Sequence, residues 1–402
     1  MRLRDLVHPT PVDQFLQEIY GRTARLFPGD EHRFDGLVSW ETLNALASWS
    51  NFAASQLRVS RDGGLVPRAA YMREVGSPQG DVVRTVLVPQ LIEVLRDGAT
   101  LIVDGIDRMH PPLDGLARRL ERTLRERVQM NAYGTWGESK GFDSHWDDHD
   151  VIVLHIAGRK EWTLFGPPRR VFPLEQDVEE NPPPAADAER RALVLTPGDV
   201  LHIPRGWWHT VRAVEGPTLH LTVAVPRATG VDLAHWLADR LCEHEVFRAD
   251  LPRHLGARER EDHRRELAAT LAAVLDDAEL MDRFFAERDA CAAPRRRHSL
   301  AAVEGGGERV GDERTVTWLA PRALLRAEGD RTVLLADGRR WTFAGAAQGM
   351  LAHLLDALDA PVGAVVAAAR DGGVGDAEAR CLLVELIEAG LVAVGEEQRG
   401  FL

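Results

Sequence analysis

Cysteine is scarce in this chain. Its three cysteines, Cys242, Cys291 and Cys381, lie far apart and form no Cys-x-x-Cys pair. That spacing excludes a disulfide scaffold and a cysteine-held zinc site. No apolar run approaches the roughly 18 residues of a membrane helix. The N-terminus, which runs from Met1 to Pro9 and then into an amphipathic helical pattern, lacks the uninterrupted apolar core of a signal peptide. These absences point to a reducing cytoplasmic setting and no membrane partner. Positive charge is also in deficit, with 49 Lys and Arg against 62 Asp and Glu and a net charge of −13. A nonspecific nucleic-acid binder would need the opposite balance, whereas a basic peptide or protein would suit this one.

The chain itself is long, and at 402 residues and 45% hydrophobic content it can bury a sizeable core divided into two or three units. Its chemistry concentrates between residues 145 and 209. His145 and Asp147 are two positions apart, so on a strand both side chains project from one face and can close on one ion. They precede residues 151–156, a β-branched run that reads as a strand. Pro197-Gly198-Asp199 signals a turn, residues 200–203 a short apolar strand, and Pro204 to Gly206 a second turn that leads through Trp207 and Trp208 to His209. Two imidazoles and one carboxylate form the facial triad that holds ferrous iron and leaves the opposite positions open. His-x-Asp alone is common in solvated turns, so the specificity lies in its company: the Gly-Asp turn, the Trp-Trp-His ending, and Lys160 fifteen positions after His145.

With these motifs in place, the stretch from Asn131 to Val225 resembles the JmjC and cupin-like 2-oxoglutarate oxygenases, most closely the ribosomal oxygenase branch. The matching text is Asn131-Ala132-Tyr133, Gly141-Phe142, His145-x-Asp147, Gly158, Lys160, Trp162, Pro197-Gly198-Asp199, Ile203-Pro204, Trp208-His209 and His220-Leu221-Thr222. The resemblance implies a mainly β fold with α, a double-stranded β-helix (jelly-roll, cupin, JmjC-type) barrel followed by a helical segment and a winged-helix-like C-terminal domain. It further implies that His145, Asp147 and His209 hold Fe(II), and that Lys160 pairs with the distal carboxylate of 2-oxoglutarate. Tyr133, Thr222 and Asn131 would line the same cosubstrate pocket. An ammonium and two hydroxyls suit a dianion.

The implied reaction is hydroxylation of a protein or peptide side chain, with 2-oxoglutarate decarboxylated to succinate; a ribosomal protein histidine or arginine is the substrate suggested by the branch. A small-molecule hydroxylase, an N-demethylase or a metal-dependent isomerase could use the same barrel, as could a cupin-like binding module without catalysis. Lys160 argues against the isomerase and the intact triad against the inert module. Other pattern residues have plainer readings. Trp162, Trp207 and Trp208 read as barrel packing, His149 as a polar rim residue, and His155 and His202 as hydrogen-bonded core histidines. His220 is a pocket candidate. Trp136 stands where relatives usually carry a proline, and the Trp207-Trp208-His209 approach resembles other JmjC hydroxylases as well, so the substrate stays open.

The expected organisation is a catalytic barrel with N-terminal helical elements over 1–228, a helical segment over 229–295, a linker over 296–314 and a winged-helix-like domain over 315–402. In the first of these, residues 91–95 and 113–127 read as helices and 98–103 as a turn and strand, buttressing one face of the sheet. Residues 175–191, rich in acids and prolines, read as an exposed loop. Leu267, Leu271, Val274 and Leu275 give an amphipathic stripe, suited either to a homodimer interface, as the resemblance implies, or to packing on the barrel. In the last unit a hairpin around Asp337-Gly338 precedes helices near 350–358, 362–370 and 377–389 and a strand at 391–394. Nine acids against three arginines over 341–402 favour a structural or protein-contact role over DNA recognition.

Overall fold

The β-branched run at 151–156 lies within one of the two longest strands among the described residues, and His209 opens the other. A computed structural model describes residues 1–49, 56–76, 82–137, 143–174, 181–185, 189–299 and 311–395, which divide into two units, Met1–Arg227 and Ala228–Leu402. In chain order the strands of the first unit are β1 (Arg25–Phe27), β2 (Leu57–Arg61), β3 (Gly64–Leu65), β4 (Met72–Gly76), β5 (Val82–Val86), β6 (Thr100–Asp104), β7 (Gln129–Thr135), β8 (Asp150–Leu164), β9 (Arg191–Leu195), β10 (Val200–Ile203) and β11 (His209–Val225). Nine of them form one antiparallel sheet in the order β1-β10-β8-β11-β7-β6-β2-β3, with β9 also on β8, while β4 and β5 pair separately.

β8 and β11 are long enough to take part in both halves of a folded-over sheet. The start of β11 (His209 to Ala213) pairs with the end of β8 (Lys160 to Leu164), which carries β9 on its other edge. The end of β11 (Leu219 to Val225) pairs with the start of β8 and, on its other side, with β7. Register shifts between Ala213 and His220 separate the two stretches. Such bulges bend a strand and raise its twist, which brings the two halves to face each other.

Alternation then decides which residues enter the space between the halves. On β7, Met130 and Ala132 join the main core, while Asn131, Tyr133 and Thr135 point into a cavity. That core is completed by helix Pro111–Leu124, whose Leu113, Leu116, Ala117, Leu120 and Leu124 form one buried stripe, and by Leu91 and Leu95 of helix Val88–Arg96. The helices expected at 91–95 and 113–127 therefore form and cover one sheet face, and the strand expected at 98–103 takes its place within the sheet as β6. A smaller core of Val151, Val153, Trp162, Leu164, Leu195, Leu201 and Ile203 fills the other half.

The helical pattern expected after Pro9 forms over residues 12–19, as Val12–Gln14 running directly into a wider helical turn over Phe15–Ile19 that buries Phe15 and Ile19, while a separate short helix, Leu3–Leu6, precedes it. Pro11 stands just before the first helical residue, where its missing backbone donor costs nothing. One local expectation is corrected. His145 and Asp147 do not lie on a regular strand, because β8 begins only at Asp150 and His145 makes a single bridge to His209. The acids at 175–180, Gly141 and Phe142, the glycines at 305–307, and Glu396, Glu397 and Arg399 lie outside the described residues.

The second unit begins with helix Gly230–Leu241, whose start is closed reciprocally: the Thr229 hydroxyl accepts from the Val231 and Asp232 amides, and the Asp232 carboxylate accepts from the Thr229 amide. Helix Ala257–Leu275 buries none of its side chains, and helix Leu280–Ala290 anchors through Leu280 and Phe284. Thereafter β12 (Thr315–Trp318) sits between β16 (Asp359–Pro361) and β17 (Val392–Gly395), and β13 (Leu324–Glu328), β14 (Arg331–Ala336) and β15 (Arg339–Ala344) form a meander. Asp337 and Gly338, both at positive φ (50° and 69°), make the tight turn of the expected hairpin. Helices Gln348–Ala357, Val362–Asp371 and Asp376–Glu388 pack around Trp318, Leu354, Val365 and Leu383, close to where the periodicity places them.

Candidate metal centre and anion pocket

The loop before β8 meets the start of β11 through backbone bonds. The His145 amide donates to the His209 carbonyl (3.0 Å) and the His209 amide to the His145 carbonyl (2.8 Å), while the Gly206 amide donates to the Asp147 carbonyl (2.9 Å). Gly206 permits this turn because its φ is +82° and a Cβ there would strike Pro173 at 2.4 Å. The three side chains consequently converge. One ligand atom from each of His145, Asp147 and His209 lies within 4.8 Å of the others, and His209 Nε2 is 3.8 Å from Asp147 Oδ2.

Both imidazoles are oriented by the backbone behind them. His145 Nδ1 donates to the Asp143 carbonyl (2.9 Å) and His209 Nδ1 donates to the Trp207 carbonyl (3.0 Å). A carbonyl can only accept, so the Nδ1 proton is fixed and each Nε2 is turned toward the centre. Burial, with the neighbouring His145, lowers the His209 pKa and keeps its ring neutral. Two imidazole nitrogens and one carboxylate at this separation fit a divalent transition metal with open positions.

The cavity beside this triad has a volume of about 270 Å³. At its other end Lys160 is fully buried, its Nζ donating to Thr135 Oγ1 and to His220 Nδ1, each at 3.1 Å. Burial lowers the ammonium to about 7. Thr135 is neutral, and His220 is held unprotonated by burial and by the Lys160 charge. A buried cation satisfied only by neutral acceptors is a receptor for an anion. Tyr133 stacks on His220 (centroids 4.8 Å apart, planes 9° apart), and Trp162 meets both His220 and His209. The Tyr133 hydroxyl shares hydrogen bonds with Thr222 and Asn131; burial and then the Asp147 charge push its pKa up to about 12, so it stays a donor. All seven site residues expected from the sequence line this one cavity.

Several lining residues were not singled out as site residues. Trp162, read as packing, is buried yet forms cavity wall, as do Thr135, Val211 and Ala224; His149 lines it too. Alternation would have found four of these, since each stands two positions from a named residue on the same strand. Thr100 and Arg58 come from β6 and β2, and only sheet pairing brings them in. His155 and His202 are core histidines as expected, donating to the carbonyls of Gly158 (2.9 Å) and Thr23 (3.0 Å).

Comparison with known proteins agrees with this geometry. The JmjC domain family model matches residues 109–233. Ribosomal oxygenase 2 of Rattus norvegicus is 24% identical over 225 residues, covering 54% of this chain and 46% of that protein. The bifunctional lysine-specific demethylase and histidyl-hydroxylase NO66 of Drosophila melanogaster is 35% identical over 231 residues, covering 56% and 33%. The chain thus spans half or less of these curated relatives. Among solved structures, YcfD, a ribosomal oxygenase from Escherichia coli, aligns with a TM-score of 0.56 at 17% identity over 96% of this chain and 98% of that one, and its complex with cobalt and 2-oxoglutarate aligns with 0.55. The shared architecture is the JmjC-type cupin fold, mainly β with α. Residues 109–233 are a JmjC domain of the kind carried by the ribosomal oxygenases.

Proposed function

We propose that the protein is an Fe(II)- and 2-oxoglutarate-dependent oxygenase that hydroxylates a protein or peptide side chain. The observation that carries this reading is one cavity with a two-histidine, one-carboxylate cluster at one end and a buried, anion-seeking lysine at the other. Bound there, ferrous iron with 2-oxoglutarate and dioxygen supplies the oxidising chemistry, releasing succinate and carbon dioxide as one oxygen atom goes to the substrate carbon.

The chain's own residues do the rest. His145, Asp147 and His209 hold the metal and leave one side open. Lys160 takes the distal carboxylate of the cosubstrate, with Thr135 and His220 fixing the direction of its ammonium. Tyr133, Thr222 and Asn131 complete that pocket, and Trp162 and Val211 exclude water from it. Residues 1–228 carry catalysis; 229–295 form the helical segment, 296–314 the linker, and 315–402 a winged-helix-like unit for protein contacts. The unburied apolar residues Leu271, Leu275, Met281 and Phe285 suit a homodimer. Free cysteines, together with the lack of a helix long and apolar enough to cross a membrane among the described residues, suit the cytoplasm.

The test is succinate formation from 2-oxoglutarate by purified protein with ferrous iron and ascorbate under air. Iron-dependent turnover is expected in the wild type and none with Asp147→Ala. Equal turnover in the two would refute the triad assignment.

A further inference from the structure

We infer that Arg58 sets the charge class of the substrate group: the cavity takes a side chain whose atoms beside the reacting carbon offer a lone pair, neutral or anionic, and turns away lysine and arginine. This rests on the oxygenase reading above.

Arg58 lines the cavity from β2, with its side chain 30% exposed. Its Nε and Nη2 donate to the two oxygens of Asp104 (2.5 and 2.7 Å). This side-on pairing engages one edge of the guanidinium and leaves the Nη1 edge with no hydrogen-bond partner among the described residues. The sheet register then places that edge. Thr100 faces Thr135, the partner of Lys160, whereas Arg58 stands opposite Ile102, which faces Tyr133, and reaches on to Asp104, which faces Asn131. Arg58 is therefore set along the strands from the Lys160 end. Tyr133 feels the charge of Asp147, and Arg58 in turn feels Tyr133, so Tyr133 stands close to both the carboxylate of the triad and the guanidinium. A substrate group reaching the metal would meet Arg58.

The charges around that group follow from the lining. Arg58 and Lys160 are cations, and Asp147 is the only carboxylate among the described lining residues, already part of the triad. The nearby Asp104 is neutralised by Arg58. With Lys160 held by the cosubstrate carboxylate, an incoming ammonium or guanidinium would give up water, meet the donor-only Nη1 edge of Arg58 and find no free carboxylate among the described lining residues. A carbonyl, a carboxylate or an unprotonated ring nitrogen would instead receive a charge-assisted bond from Nη1.

The test uses terminally blocked peptides with one fixed position occupied by arginine, lysine, histidine, asparagine or aspartate between randomised flanks. They are incubated with the full chain, ferrous iron and 2-oxoglutarate under air; hydroxylation is read by mass spectrometry and succinate in parallel. Wild type is expected to hydroxylate the histidine, asparagine or aspartate series at least tenfold more than the arginine and lysine series. Arg58→Gln should lower kcat/KM on the preferred series at least tenfold, chiefly through KM. Arg58→Lys, which keeps the charge without the fork, should retain the preference at higher KM, which separates recognition from loss of fold. Preferred hydroxylation of arginine or lysine by wild type, or an unchanged kcat/KM in Arg58→Gln, would overturn the inference while leaving the oxygenase reading intact. Absence of both succinate and metal-dependent 2-oxoglutarate binding would remove the oxygenase reading and this inference with it.

Discussion

The two ends of the cavity are built in opposite ways. At the metal end the ligands sit on a loop and a strand start, tied by backbone bonds, and Asp147 keeps 32% of its side chain exposed. At the anion end Lys160 is 4% exposed and enclosed by Thr135, His220, Tyr133 and Trp162. An open end leaves room for the proposed metal and substrate group; a dry end strengthens a single ion pair, because the effective dielectric falls with burial. The difference implies that the two ends can be disabled separately.

The largest effect should come from Asp147→Ala, which removes the only anionic ligand: turnover and ferrous or manganous ion binding should both disappear. Retained metal affinity would show that the open end does not depend on its carboxylate. Next, Lys160→Ala should raise the 2-oxoglutarate concentration needed for half-maximal turnover by about 10–100-fold, the value of a charge-assisted bond of roughly 1.5–3 kcal/mol, while metal binding persists. A joint loss of both would erase the separation between the ends.

A smaller effect should follow pH. Lys160 binds an anion only when protonated and sits at about 7 in the empty cavity, so 2-oxoglutarate affinity should hold below pH 7 and weaken above it. The binding constant measured from pH 6 to 9 checks this; a flat profile would mean the lysine stays charged throughout. Least, His220→Leu removes one neutral acceptor of about 1 kcal/mol and should raise the 2-oxoglutarate KM about fivefold with little change in kcat. A fall in kcat alone would place His220 in the chemistry instead of behind the lysine.

How much of this was legible follows from what kind of signal each residue leaves. The motif around His145 and His209 is local, and so are the β-branched run at 151–156 that lies in β8, the short apolar run that becomes β10 and the stripe of helix Pro111–Leu124. The Asp337-Gly338 hairpin was readable because two positive φ angles demand those residue types. The helical turn after Pro11 was readable from local apolar spacing, but its widening over Phe15–Ile19 was not. His145 and Asp147 were placed on a strand because their spacing suits one, whereas a single bridge to His209 aligns them just as well. Trp162 looked like packing since an aromatic at an alternating position serves core and cavity alike.

The sequence by itself determined the chemistry at hand: two histidines, an aspartate and a lysine in family order, with strand alternation assigning a face to Lys160 and His209. Only the tertiary structure decided which of those faces meet. The bend in β8 and β11 turned one face of each half toward the other, and sheet pairing carried Arg58 and Thr100 into the cavity from strands with no motif of their own. Alternation is a property of a few consecutive residues, whereas a cavity is a relation between strands far apart in the chain, set by register and by where a bulge lets a strand turn.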